Sequence, residues 1–93
     1  MPDATIVPPE LIGQIVVLDT PTQFVYIGRL AGAGAEFIEL QDADVHDSAQ
    51  SPSPNEIYII DARKYGVKKN RVRVFVRYEQ IVSVSRLEDV IEY

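Results

Sequence analysis

The sequence predicts a mainly β domain: a small, strongly bent sheet of five strands, with a short helix in front and a second helix inside the long connection before the fourth strand. Three observations carry this. Aliphatic residues come in short runs, such as Ile15-Val16-Val17-Leu18, or in strict alternation, as in Arg71-Val72-Arg73-Val74, and both patterns belong to strands rather than helices. Clusters of glycine, proline and serine punctuate these runs. The chain has 93 residues, 46% of them hydrophobic and 25% charged, which is enough for one domain with one core.

Taken in order, Pro8-Pro9-Glu10-Leu11-Ile12-Gly13 reads as one helical turn, with proline at its start and glycine at its C-terminal cap. Residues 14–19 form the first strand and Thr20-Pro21-Thr22 a turn. Residues 23–31 form the second strand, with Phe24, Tyr26, Gly28 and Leu30 on one side and Val25, Ile27 and Arg29 on the other. Gly32-Ala33-Gly34 is a turn, and residues 35–42 form the third strand, running on through Ala43-Asp44-Val45-His46-Asp47.

A polar loop, Ser48-Ala49-Gln50-Ser51-Pro52-Ser53-Pro54-Asn55, follows. Residues 57–60 suit a strand by propensity. The ends of residues 54–65 suit a helix, which is the preferred reading: Ser53 to Glu56 matches a capping box, Pro54 falls at the first helical position, and Gly66 at the C-terminal cap. Arg63 and Lys64 near that end suit the helix dipole. Residues 71–77 form a half-exposed fourth strand, Tyr78-Glu79-Gln80 a tight turn, residues 81–85 the last strand, and residues 86–93 a tail that docks on the body. The whole chain, residues 1–93, is one domain with an insertion at about residues 48–70.

Composition excludes several chemistries. There is no cysteine, so disulfides, thiolate nucleophiles and cysteine metal sites are absent. No stretch approaches the ~20 apolar residues of a membrane span, and the N-terminal residues lack the basic and apolar runs of a signal peptide. The expectation is a soluble, cytoplasmic protein. No nucleophile elbow or P-loop occurs. Gly28, Gly32 and Gly34 are turn glycines rather than a dinucleotide fingerprint, since no helix follows them. The sequence predicts neither an enzyme nor a cofactor.

The net charge is −5, with its signs segregated. Arg63, Lys64, Lys68, Lys69, Arg71, Arg73 and Arg77 lie in a stretch without acids, whereas Glu36, Glu39, Asp42, Asp44 and Asp47 lie in one without lysine or arginine. The basic segment suits phosphate contact, pairing with the acidic strand of a second copy, or plain solvent. Asp42, Asp44 and His46 fall two apart and so share a strand face, the one weak candidate for a divalent cation. A polar outer face is the simpler reading, and no metal is assigned. Tyr58, Tyr65 and Tyr78 read as interface tyrosines more readily than as base-stacking ones.

Two motifs carry a family resemblance. Ile27-Gly28-Arg29-Leu30 followed by Phe37-Ile38-Glu39-Leu40, and Val76-Arg77-Tyr78-Glu79-Gln80-Ile81-Val82-Ser83-Val84, together resemble the two motifs of the Sm/Sm-like family, in its divergent bacterial type. The second motif has Tyr78 where the family has glycine. The first lacks the aspartate of the family's turn and the asparagine that reads a base, and carries Glu36 nearby.

The resemblance implies a bent Sm-like (SH3-like) barrel that forms homo-oligomeric rings, the fourth strand of one copy pairing with the fifth of the next. It implies an interface around Val74, Val76, Tyr78, Ile81, Val82 and Val84. It also implies RNA or single-stranded nucleic acid as ligand, through Arg77, with Phe37 as a stacking face and Lys68, Lys69, Arg71 and Arg73 as basic contacts. The alternative is an oligomer that recognises protein and binds no nucleic acid.

Overall fold

The computed structural model describes residues 7–51 and 54–92. A 3₁₀ turn at Pro9–Leu11 leads into β1 (Ile15–Asp19), β2 (Phe24–Ala33), β3 (Phe37–Asp47), α1 (Asn55–Tyr65) and β4 (Arg71–Arg77). A 3₁₀ turn at Tyr78–Gln80, β5 (Ser83–Arg86) and a last 3₁₀ turn at Leu87–Asp89 complete the chain. The strands form one antiparallel sheet in the order β4-β3-β2-β1-β5. Its two edges are β4 and β5.

The sheet is bent around its core. In a flat sheet of this order β4 and β5 would lie about 19 Å apart, four strand spacings. Yet Val76 of β4 and Val84 of β5 pack with the same cluster, which holds Val7, Val16, Leu18, Leu30, Ile38, Leu40 and Ala43. A second cluster, Val17, Val25, Ile27, Ala62 and Leu87, lies on the other face of β1 and β2. The sheet is thus covered on both sides there, which explains why Val16, Val17 and Leu18 are all buried in succession.

The alternation expected along β3 is broken by a bulge. Ile27 pairs with Asp44 but Arg29 pairs with Gln41, so one residue of β2 faces two of β3. Asp42 absorbs the extra residue in a left-handed conformation, at φ 50°. Gly28 sits opposite, and a side chain there would bring a Cβ to 2.9 Å from the Ala43 Cβ. The bulge shifts the register, so Ala43 joins the inner core that Ile38 and Leu40 occupy. A second register shift, between Leu30 and Gly32, pairs Gly32 with Glu39 and Ala33 with Ile38. β2 therefore runs on through the glycine-rich segment expected to turn.

The connection between β3 and β4 contains the helix that its ends suggested. Gly66 closes α1 at φ 98°, donating its N–H to Ala62 O at 3.0 Å. Pro54 stands at the N-cap rather than at the first helical position. The expected cap at Ser53 lies outside the described residues. Strand propensity at Ile57, Ile59 and Ile60 is overridden because the helix buries Ala62, and packs Tyr58 and Ile59, against the second cluster.

The tail docks as expected. Leu87 is buried in the second cluster with Val90 packed beside it. Arg86 grips Asp89 through two bonds of 2.9 Å, which hold the Asp89 carboxyl below its ordinary range. Arg63 of α1 reaches Glu92 at 3.6 Å. β5 is shorter than expected and shifted, because Ile81 still belongs to the preceding turn, donating its N–H to Tyr78 O at 3.0 Å.

Candidate nucleic-acid interface

Antiparallel pairing puts Phe37, at the start of β3, directly opposite Arg77, at the end of β4. The guanidinium carbon of Arg77 lies 5.6 Å from the Phe37 ring centroid, within cation–π range. Phe75, two residues before Arg77 and so on the same face, turns its ring edge-on to Phe37 at 6.3 Å and 78°. Phe37 and Phe75 are 38% and 56% exposed. The turn after β4 is tied to this corner by the Tyr78 N–H, which donates to Glu36 O at 3.0 Å. Two aromatic rings and a cation on one exposed corner can stack a planar base.

Acids border the same corner. Arg77 Nε donates to Glu79 Oε1 at 3.2 Å, and Glu36 immediately precedes Phe37. Phe75 gave no signal in the sequence beyond its place in the alternation. Only the pairing of β3 with β4 brings it beside Phe37.

The remaining basic residues do not gather there. Arg71 and Arg77 are six residues apart along β4, about 20 Å, and Lys68 and Lys69 precede Arg71. Lys68 borders a cleft against α1, whereas Lys69 borders a separate hollow with Arg29 and Asp42. Arg73 pairs with Glu39 of β3 at 3.0 Å. Arg71 donates to the Asn70 carbonyl at 3.0 Å. The acidic and basic strands therefore meet inside one chain, with β3 and β4 as sheet neighbours, instead of being held apart for a second copy.

The side chains expected at an oligomer contact are mostly turned inward. Val76 is buried, and Val74, Tyr78, Ile81 and Val84 are partly buried and packed on the inner core. This follows from the sheet's bend, which wraps that face of β4 and β5 around the core. Burial pushes the Tyr78 phenol above its ordinary range. Of the expected set only Val82 is well exposed, at 69%, and Val72 at the start of β4 is 84% exposed. What the edges offer a second copy is chiefly unpaired backbone.

The face expected to unite Asp42, Asp44 and His46 is split by the bulge. Asp42 pairs with Arg29 at 3.0 Å. Asp44 is buried and accepts from the Tyr58 hydroxyl at 2.6 Å and the Asn70 amide at 2.9 Å. His46 stacks on Tyr58 at 3.8 Å and 10°. Among the described residues no group of three or more metal-ligating acids and histidines is brought together. Tyr58 thus docks α1 to β3 within the chain rather than meeting a second copy. Tyr65 is 75% exposed.

Asn70 also escaped the sequence. Its amide oxygen accepts the Val45 N–H at 3.0 Å, and its amide nitrogen donates to Val45 O at 3.1 Å. A side chain here extends the strand ladder ahead of the start of β4.

Among solved structures, the chain is similar to the Sm protein of Pyrococcus abyssii in complex with a uridine heptamer, at 18% identity and a TM-score of 0.56. The match covers 83% of this chain and 87% of that one. The fold is Sm-like. No protein-family model and no curated protein matches the sequence. At this identity the likeness speaks for the Sm-like fold alone. No described helix is long and apolar enough to cross a membrane.

Proposed function

We propose that this Sm-like chain is a non-catalytic binding module, a divergent bacterial-type relative of the Sm family. It assembles into a homo-oligomeric ring in the cytoplasm and engages RNA or single-stranded nucleic acid at the Phe37–Arg77 corner. The observation that carries the reading is that corner: an exposed ring with a guanidinium held 5.6 Å away, on a fold shared with a protein solved with a uridine heptamer. A base stacked there gains about 1–3 kcal/mol. Lys68, Lys69 and Arg71 form no ion pair among the described residues, and they serve as secondary phosphate contacts at and just before the start of the outer strand. Assembly uses the unpaired edges of β4 and β5, with Val82 beside the junction.

The replacement of the family's asparagine and aspartate, and the acids Glu36 and Glu79, imply weak selectivity for uracil. A second reading, an oligomer that recognises protein and binds no nucleic acid, is favoured by Glu79 already occupying Arg77 and by the net charge of −5.

The test is binding of a uridine-rich oligonucleotide at about 0.1 M salt and below. Arg77→Ala is expected to weaken binding strongly, and a joint Lys68/Lys69→Ala change to weaken it less, with assembly intact in both. No retention by the wild type even at low salt rules out nucleic acid and leaves the protein-binding reading.

A further inference from the structure

We propose that the cleft between α1 and β3 is a second binding site, separate from the Phe37–Arg77 corner, and that its ligand is a small organic cation, an amine or guanidinium on a planar or apolar body. The cleft encloses about 340 Å³, at the lower end of the range of small-molecule sites. One wall is a stripe of α1, where Tyr58, Asp61 and Tyr65 fall at spacings of three and four and so share a face. The facing wall is β3, with Asp44 and His46, and Lys68 stands at the exit of the helix.

Charge selects the ligand. Asp44 is 8% exposed. Its two oxygens accept only from neutral donors, the Tyr58 hydroxyl and the Asn70 amide. Asp61 borders the same space, and among the described residues no salt bridge reaches either carboxylate. A buried carboxylate without a cationic partner is costly, and an ammonium entering the cleft offsets that cost. The carboxylates of Asp44 and Asp61 balance the Lys68 ammonium at the border and the Lys64 ammonium over the Tyr65 ring, so the cleft has no net positive charge with which to draw in a polyanion.

The walls favour an organic body over a bare metal ion. The stacked rings of Tyr58 and His46 bridge the two walls and close the cleft where α1 meets β3. Tyr65 offers a largely exposed ring and already receives one cation, the Lys64 ammonium at 5.6 Å. The ring thus sits in a setting where cation–π contact is favourable. The insertion that distinguishes this chain's long connection therefore builds a pocket as well as covering the sheet.

The test is a titration of the full-length protein with benzylamine and agmatine, followed by amide shifts in nuclear magnetic resonance. Benzyl alcohol and benzoate serve as neutral and anionic controls of similar shape. Saturable shifts at Asp61, Ala62, Tyr65 and Gly66 with the amines, and none with the controls, are expected. Asp61→Asn is expected to weaken amine binding roughly fivefold, the loss of about 1 kcal/mol, and Lys68→Ala to strengthen it by removing the competing charge. Both side chains are exposed, so either variant keeps the fold. Shifts that never saturate, benzoate or benzyl alcohol binding as well as the amines, or unchanged affinity in Asp61→Asn would each overturn the proposal.

Discussion

The hydroxyl of Tyr58 donates a 2.6 Å hydrogen bond to the buried carboxylate of Asp44 and so fastens the inserted helix to the third strand. The helix thereby depends on a polar latch as well as on apolar contact. Replacing Tyr58 with phenylalanine keeps the ring against His46 but leaves the carboxylate short of a donor. A cost of about 1–3 kcal/mol is expected, seen as a fall in melting temperature of roughly 5–15 °C. An unchanged melting temperature would show that the latch is idle.

The same bond gives stability a dependence on alkaline pH. Burial, and then the bond to Asp44, raise the Tyr58 phenol above its ordinary 10.0. Below that pH, folded and unfolded chains both hold the proton and the contribution is intact. Above it the unfolded chain releases the proton while the folded one retains it, so stability falls as pH rises. Urea midpoints at about pH 9 and about pH 11 should therefore diverge more in the wild type than in Tyr58→Phe. Parallel losses in the two would contradict the assignment.

Gly28 and Ala43 are coupled through the bulge. A Cβ at position 28 would meet the Ala43 Cβ at 2.9 Å, the Ala43 Cα at 3.1 Å and Gln41 O at 3.2 Å. Gly28→Ala is expected to destabilise by about 1–3 kcal/mol through overpacking. Adding Ala43→Gly removes the nearest of the three clashes, so the double variant should lose less than the two single losses summed. Denaturant titration of all four proteins measures this coupling, and simple additivity would place the clash elsewhere.

Glu79 holds the Arg77 guanidinium and so competes with a base at the proposed corner site. Glu79→Gln frees Arg77 and removes one negative charge from the corner, so oligonucleotide affinity should rise severalfold at low salt. The gain should shrink as salt screens the lost repulsion. A fluorescence anisotropy titration at two salt concentrations checks this, and a loss of affinity would mean that Glu79 holds Arg77 in its binding pose.

Much of the architecture was legible because chemistry repeats along it. The alternation of arginine and valine marks β4 at the boundaries observed, Arg71–Arg77. Gly66 marks the end of α1 because few other residues adopt its φ of 98°. What the sequence hid is what depends on long-range pairing. The bulge at Asp42 carries no glycine, so nothing local announces that Asp42 and Asp44 part company there. The extension of β2 through Gly32 depends on a register shift set by β3. The valines of β4 and β5 read as contact residues because strand patterning names an apolar face without saying whether this chain's own core or another copy covers it. Phe37 and Arg77 were each legible, but their pairing, and the place of Phe75 beside them, came from the sheet.

Assembly through free edges is the most direct point to measure. The Tyr78 N–H bonds Glu36 O. Since hydrogen-bonded and non-bonded pairs alternate along an antiparallel ladder, the backbone of Phe75, opposite Glu39, faces the unpaired edge. Light scattering on the wild type should give a mass that is a fixed multiple of the 10.4 kDa chain. Phe75→Pro, which removes an edge N–H and no bond within the sheet, should shift the protein to monomers that keep their β circular dichroism. A wild type that runs as a 10.4 kDa monomer at every concentration would contradict a ring built on β4 and β5.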